Sequence, residues 1–140
     1  MAHTVEKIGG TSMSRVSELR DTLFLNDDHP YGRIFVVSAF GGITDLLLEH
    51  KKSGKPGVYA QFANADTDRG WHEALDRVAD AMAEAHEAVL EHPADTERAA
   101  GFVRERIEGA RNCLIDLQRL CSYGHCRLSE HMLQIRELLS

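Results

Sequence analysis

Hydrophobic residues in the first part of the chain form two strand-like runs, and each run leads into a pair of glycines. Residues 3–8 alternate around two apolar positions and stop at Gly9-Gly10, which predicts a short strand followed by a turn. Residues 33–39 are β-branched and almost continuously apolar, and Gly41-Gly42 follows them. Such a run is typical of a strand covered on both faces in a parallel sheet. The two runs therefore predict two strands of one sheet.

A helix is predicted behind each glycine pair. The second helix covers residues 44–50, where Thr44 or Asp45 is the expected N-cap, and it breaks within residues 53–57. The repeated order of strand, glycine turn and helix predicts an α/β layered fold. The first helix has three hydroxyl residues that could cap it, Thr11, Ser12 and Ser14. Its apolar residues at helical spacing are Val16, Leu19 and Leu23. A polar segment of Asn26, Asp27, Asp28 and Pro30 closes it.

The second half of the chain has helical periodicity. One apolar stripe starts at Trp71 and ends at His92-Pro93, and another starts behind Asp95 or Thr96 as its cap and ends near Gly124. The stripes predict two long amphipathic helices. Their apolar faces contain Leu75, Val78, Ala79, Met82, His86, Val89 and Leu90 in the first, and Val103, Ile107, Ala110, Leu114, Leu117 and Cys121 in the second.

A third helix is expected from Ser129 onward, with Leu133 and Leu138 among its apolar residues. The polar stretch before the helical half, which includes Asp66 and Asp68, predicts a loop over residues 59–70. We therefore divide the chain, which has the length of one domain, into a strand-and-turn core at 1–58, a loop at 59–70 and a helical segment at 71–140.

Composition narrows the range of functions. Hydrophobic residues make up 43% and charged residues 27%, which is typical of a globular protein rather than a disordered one. The net charge is −6 with both signs interspersed, so the basic footprint of a nucleic-acid-binding protein is missing. The sequence shows neither a membrane-spanning run nor a signal-peptide pattern, which favours a cytoplasmic location and no membrane partner. Reduced, partly buried thiols are expected at Cys113, Cys121 and Cys126.

The first glycine turn has the features of an anion site. Gly9 and Gly10 permit positive φ and let backbone N–H groups approach an anion without interference from a Cβ atom. A helix that starts behind them directs its free N–H groups to the same place, where Thr11 and Ser12 add hydroxyl donors. Lys7 on the preceding strand offers an ammonium for a phosphoryl group. The plain alternative is an ordinary turn beside a solvated lysine.

The second glycine turn repeats this arrangement. It also follows a strand and precedes a helix, so the two turns should lie side by side if the strands are neighbours. Ser38 and Thr44 are its hydroxyl residues, and both have an ordinary explanation as a strand-end hydroxyl and a helix cap. If both turns bind anions, two phosphates, or a phosphate and a carboxylate, would be held together.

The two turns together resemble the aspartokinase branch of the amino-acid kinase family. Residues 7–12, Lys-Ile-Gly-Gly-Thr-Ser, are similar to the family motif K-F-G-G-T-S, with Ile8 in place of Phe. Residues 36–45 are similar to its segment V-V-S-A-x-x-G-x-T-[DN]. Within the family, the linker at 48–69 and the turn at 121–126 resemble the divergent aspartokinases found with ectoine biosynthesis genes in salt-adapted bacteria.

The resemblance implies a three-layer αβα sandwich that transfers phosphate from ATP, with Mg²⁺, to the β-carboxylate of aspartate. It places Lys7 at the transferring phosphoryl group and the Gly9 and Gly10 amides at the phosphate. It places Ser38 and Thr44 at the aspartate substrate, in a pocket shaped by Ala39, Phe40 and Gly41. The family continues beyond residue 140 with a Gly-Glu substrate segment and the nucleotide-binding half. We therefore expect a partial sandwich without kinase activity of its own.

Two other readings stay open. The chain could be a noncatalytic module that associates with itself or another chain through its amphipathic helices, whose apolar faces need a cover. Cys121, His125, Cys126 and His131 offer metal ligands, but their spacing lacks the paired C-x₂-C of structural zinc sites. Of the other histidines, His86 should pack on its apolar helix face, whereas His72 and His92 should be solvated near helix ends.

Overall fold

A computed structural model of the protein describes residues 3–25, 32–64 and 69–140. Two predicted strands are confirmed as β1 (Thr4–Ile8) and β2 (Arg33–Val37), which pair in parallel with Thr4 opposite Arg33 and Ile8 opposite Val37. A bidentate ion pair fixes the register, because the Arg33 guanidinium donates to both Glu6 carboxylate oxygens, at 2.7 and 2.8 Å. This ion pair is half-buried, and a bidentate ion pair that is partly shielded from water is stronger than an exposed one.

The helix predicted after the first glycine turn is broken. It forms α1 (Gly10–Met13), α2 (Val16–Leu19) and a π-helical turn at Arg20–Phe24. The predicted hydroxyl caps are wrong, because the N-cap is Gly9 without a side-chain bond, and Ser14 instead donates its hydroxyl to the Gly10 carbonyl oxygen at 3.3 Å. Hydroxyls that bond back within their own turn compete with a continuous helix. The predicted closing segment at 26–30 lies outside the described residues.

The prediction that β2 is covered on both faces is wrong for the described structure. Val36 and Val37 are each 52% exposed, and the main hydrophobic core contains no strand residue. The physical reason is that, within the described ranges, the sheet has two strands and the helices pack chiefly on one another. The protein is therefore mixed α/β, and its assignment to a three-layer sandwich stays a prediction.

The helix after the second glycine turn is α3 (Ile43–Leu47), which ends three residues earlier than predicted. The loop prediction for 59–70 is also wrong in part, because Val58–Ala63 forms helix α4. Its buried residues, Val58 and Phe62, stand four apart. Two apolar positions are too few to give a readable period in a sequence. Asp66 and Asp68 lie outside the described residues.

The two long helices are confirmed as α5 (Arg69–Val89) and α6 (Pro93–Ser122), and α5 packs against α3, α4 and α6. The predicted caps of α6, Asp95 and Thr96, are wrong. His92 is the N-cap and Pro93 is the first residue, a position where the missing N–H of proline costs nothing. In no described part of the chain is a helix long and apolar enough to cross a membrane.

Trp71 is the centre of the core. Its side chain is fully buried, with the Phe62 ring nearly perpendicular at 5.3 Å and the His72 ring stacked at 3.7 Å. The prediction of a solvated His72 is therefore wrong, and Arg111 of α6 also approaches its Nδ1 at 2.9 Å. Arg111 joins the two long helices through a further ion pair with Asp76, at 2.5 Å.

The chain after α6 forms a 3₁₀ turn at Leu128–Glu130 and then α7 (Met132–Leu139). Ile135 and Leu139 are its buried residues, whereas Leu133 and Leu138 are exposed. Of the cysteines, Cys121 and Cys126 are partly buried as predicted, but Cys113 is exposed, because it lies on the outer face of α6.

Candidate functional site

The parallel pairing of β1 and β2 brings the two glycine turns to one edge of the sheet, as predicted for neighbouring strands. Ser38 continues the ladder, since its backbone N–H donates to the Ile8 carbonyl oxygen at 3.1 Å. A Cβ atom built on Gly10 would lie 3.5 Å from Ser38 Oγ. The start of the first turn and the hydroxyl of the second therefore face each other across a gap of about one atom.

The first turn differs from its prediction in backbone conformation. Gly9 is extended, with φ −77° and ψ 166°, and neither Gly9 nor Gly10 has positive φ. A Cβ atom on Gly9 would meet Lys7 Nζ at 3.7 Å, which is an ordinary contact. These glycines thus relieve no strain. The Lys7 ammonium therefore lies close to the backbone of the first turn.

The second turn needs its glycines for closer reasons. Gly42 has φ +85°, a conformation that side chains disfavour, and it is the N-cap of α3 instead of the predicted Thr44 or Asp45. A Cβ atom on Gly41 would come within 2.9 Å of Ser14 Cβ and 3.0 Å of Ser14 Cα. Gly41 therefore allows the second turn to dock directly on the end of α1.

The helix dipoles at the two turns are weaker than predicted. α1 has four residues and α3 has five, so each is little more than one turn. A dipole sums over aligned peptide units, and such short helices contribute little of it. The helix dipoles therefore add little positive charge at either turn.

A cleft of about 650 Å³ lies between the two turns. Three of the residues predicted from the sequence, Lys7, Gly9 and Ser12, are not on its wall, although Gly9 directly precedes Gly10 and Lys7 Nζ lies beside Gly9. Phe40 lies on the cleft wall and also contacts α5, where the centroids of its ring and the His86 ring are 5.6 Å apart. This contact confirms that His86 packs on its apolar helix face. The predicted site residues that line the cleft are Gly10, Thr11, Ser38, Ala39, Phe40, Gly41 and Thr44.

Sequence reasoning missed one wall of this cleft. His50, Lys51 and Lys52, in the turn after α3, also line it, together with Ser14 and Asp45. His50 Nε2 lies 3.8 Å from an Asp45 carboxylate oxygen, and its Nδ1 lies 2.9 Å from Ser53 Oγ. Two consecutive lysines directly behind a short helix were the only signal in the sequence, and such a pair usually indicates nothing more than a solvated turn.

The metal alternative gains no support. Cys121 Sγ lies 3.1 Å from Cys126 Sγ, and the hydrogen bond between these thiols, followed by burial, raises the pKa of Cys121 to about 11. A thiol with a raised pKa is a poor ligand at neutral pH, because metals bind the thiolate. The ranges that the structure describes contain no group of three residues able to hold a metal ion.

Replacing Gly41 with Ala is expected to separate the two turns. The added methyl overlaps the Ser14 side chain and its Cα, so the free energy of unfolding should fall by about 1–3 kcal/mol, as for other overpacked contacts. Urea unfolding followed by circular dichroism measures the change. Gly101→Ala is the matched control, because a Cβ there meets nothing and alanine favours the helix. Equal midpoints for the two variants would contradict the docking of Gly41 on Ser14.

The structure defines the class of protein as mixed α/β, with two glycine turns at the same end of two parallel strands. The comparisons with known proteins narrow this class. The chain is 48% identical over 141 residues to the aspartate kinase Ask_Ect of Stutzerimonas stutzeri (strain A1501). The match covers 99% of the chain and 30% of that relative. The resemblance to aspartate kinases is thus confirmed, and the chain is a homologue of one.

The other comparisons add nothing to this likeness. No protein-family model matches the chain. No solved structure matches it either.

Proposed function

We propose that the chain forms the substrate side of an aspartate kinase site, which transfers the γ-phosphate of ATP to the β-carboxylate of L-aspartate. The product, 4-phospho-L-aspartate, would enter amino-acid or ectoine biosynthesis. One observation carries the proposal: the Lys7–Gly10 turn and the Ser38–Thr44 turn, both matched to aspartokinase motifs, adjoin one cleft. The chain spans 30% of its aspartate kinase relative, so the nucleotide half of the site is proposed to be supplied beyond these residues.

Each turn has its own role in this proposal. The aspartate β-carboxylate is ionised at neutral pH and needs no general base. Ser38 and Thr44 hydroxyls orient it from the second turn, while Ala39, Phe40 and Gly41 shape the wall. Lys7 neutralises the charge that develops on the transferring phosphoryl group, and the Gly9 and Gly10 amides hold its oxygens. Catalysis then rests on positioning and charge neutralisation.

The described residues do not fit a resident Mg²⁺ site. Asp45 provides the carboxylate among the residues that line the cleft, and one of its oxygens lies 3.8 Å from His50 Nε2. Mg²⁺ takes near-octahedral oxygen ligands and is commonly held by nucleotide phosphates with one or two carboxylates. In this proposal the ion therefore arrives with ATP, and no catalytic step of these residues passes through it.

A titration with L-aspartate tests the substrate assignment on the chain itself. Two-dimensional ¹H–¹⁵N NMR should show shifts at the amides of Gly10, Ser38 and Thr44 as L-aspartate is added. Ser38→Ala and Thr44→Ala should each weaken binding about tenfold, since each removes a hydrogen bond to a charged group. Ser17→Ala, an exposed hydroxyl on α2, is the control. Shifts spread over the surface, or no shifts, would contradict the assignment.

A second candidate function is association through the long helices. Phe102 and Leu120 are more than half exposed on α6, so they are available to a partner surface. Self-association would cover them and make the protein a homo-oligomer. Analytical ultracentrifugation separates the two cases, because a monomer at all concentrations would count against this candidate.

A further inference from the structure

The turn that follows α3 forms the cationic wall of the cleft. We propose that Lys51 and Lys52 bind the carboxylates of the acidic substrate and select a dicarboxylate over a monocarboxylate. This inference rests on the proposed function, because it concerns the substrate that Ser38 and Thr44 orient. Both lysines line the cleft, and neither forms an ion pair with any residue that the structure describes.

The turn that carries these lysines is firmly built. The His50 N–H donates to the Lys55 carbonyl oxygen at 3.0 Å, and the Gly54 N–H donates to the His50 carbonyl oxygen at 2.8 Å. His50 Nδ1 accepts from the Ser53 N–H at 3.1 Å and also lies against the Ser53 hydroxyl. The positive φ of Gly54, +67°, closes the turn. The backbone under Lys51 and Lys52 is thus held from both sides.

The base of the same turn is locked to α3. The Gly57 N–H donates to the Leu48 carbonyl oxygen at 3.1 Å. A Cβ atom on Gly57 would come within 2.8 Å of that oxygen and 2.9 Å of the Asp45 carbonyl oxygen, so only glycine fits there. Since Thr44 is on α3, the two lysines and the substrate hydroxyl belong to one connected unit. The backbone positions of Thr44, Lys51 and Lys52 are therefore fixed relative to one another.

The balance of charge on the cleft wall favours an anion. Lys51 and Lys52 contribute two positive charges, and Asp45 contributes one negative charge that His50 Nε2 faces at 3.8 Å. Lys7 is not on this wall; its Nζ lies beside Gly9, where an added Cβ atom would meet it at 3.7 Å. The lysines around the two turns are thus in two separate places. Lys7 serves the phosphoryl group, and Lys51 with Lys52 serves the substrate carboxylates.

A neighbouring cleft provides a matched control. It has a volume of about 390 Å³, shares Gly41, Gly42, Asp45 and His50 with the first cleft, and has Lys55 and Arg77 on its own wall. Lys55 is in the same turn as Lys51 and Lys52 but opens to this other cleft. The double variant Lys55→Gln/Arg77→Gln therefore removes the same net charge from the same region without touching the proposed carboxylate wall.

Binding of three small acids to the chain, followed by NMR shifts at Ser38 and Thr44, tests the inference. L-aspartate and succinate carry two carboxylates, whereas L-asparagine carries one. In Lys51→Gln/Lys52→Gln, the affinity for L-aspartate and succinate should fall about tenfold, and that for L-asparagine should change less than threefold, as expected for exposed cations that each contribute modestly. In Lys55→Gln/Arg77→Gln all three affinities should stay within twofold of the unaltered chain.

Salt and pyrophosphate complete the test. The affinity of the unaltered chain for L-aspartate should fall with added salt, and this dependence should weaken in Lys51→Gln/Lys52→Gln. Equal losses of L-aspartate affinity in the two double variants would overturn the inference. So would a loss of pyrophosphate affinity in Lys51→Gln/Lys52→Gln that is larger than the loss of L-aspartate affinity. If Ser38→Ala still weakens L-aspartate binding in that case, the proposed function stands alone. If the unaltered chain binds none of the three acids, both proposals fail.

Discussion

Lys7→Ala is expected to lower kcat by about a thousandfold in a chimeric enzyme in which this chain replaces the matching segment of its aspartate kinase relative. Lys7 Nζ lies in front of Gly9, where the proposed phosphoryl group would pass. At an effective dielectric near 20, a charge contact at about 4 Å is worth roughly 4 kcal/mol, and each 1.36 kcal/mol changes a rate tenfold. Steady-state kinetics with aspartate and ATP varied in turn would measure the effect.

The division between kcat and KM tests the role of Lys7. An interaction made only in the transition state lowers kcat and leaves the KM for aspartate nearly unchanged. Lys7→Arg, which keeps the charge on a longer fork, should recover part of kcat. A loss confined to KM would make Lys7 a ground-state binder and contradict the assigned role.

Trp71→Ala is expected to lower the free energy of unfolding by about 3–5 kcal/mol, the usual cost of deleting a fully buried large aromatic side chain. Trp71 is 0% exposed and contacts both the Phe62 and His72 rings. Small domains are stable by only about 5–15 kcal/mol, so this loss is a large share of the total. Urea unfolding followed by circular dichroism would measure this change.

Trp71→Phe is the matched control for that experiment. The indole N–H of Trp71 is buried and has no partner among the described residues. Phenylalanine keeps a ring in the core and removes this unsatisfied donor, which offsets the loss of volume, so the change should be about 1 kcal/mol or less. If Trp71→Phe were as damaging as Trp71→Ala, the core around Trp71 would not be the packed centre described above.

The long elements and the position of the site could be predicted from the sequence because they leave a periodic or local signal. α5 and α6 each repeat apolar residues over several turns, and a glycine pair follows β1 directly and β2 after a few residues. Because β1 and β2 are parallel neighbours, the turns that follow them lie together, and this places Gly10 near Ser38. The resemblance to aspartokinase motifs assigned chemistry to these positions, which spacing alone could not do.

Other features depend on contacts that a single sequence does not show. The exposure of Val36 follows from which elements lie over the sheet, and the burial of Phe62 follows from its contact with Trp71. The break behind α1 depends on a hydroxyl that bonds to its own turn at Ser14. Lys51 and Lys52 reach the cleft because the turn at 50–54 folds back along α3, a path that polar residues alone do not indicate.

Aspartate-dependent release of ADP by the chimera that carries the unaltered chain tests the central claim most directly. We expect a rate within about tenfold of the unaltered relative, because 99% of the chain matches that relative at 48% identity. We also expect L-asparagine not to replace L-aspartate, since it lacks the β-carboxylate that accepts the phosphate. A folded chimera that binds ATP but releases no ADP with aspartate would contradict the account.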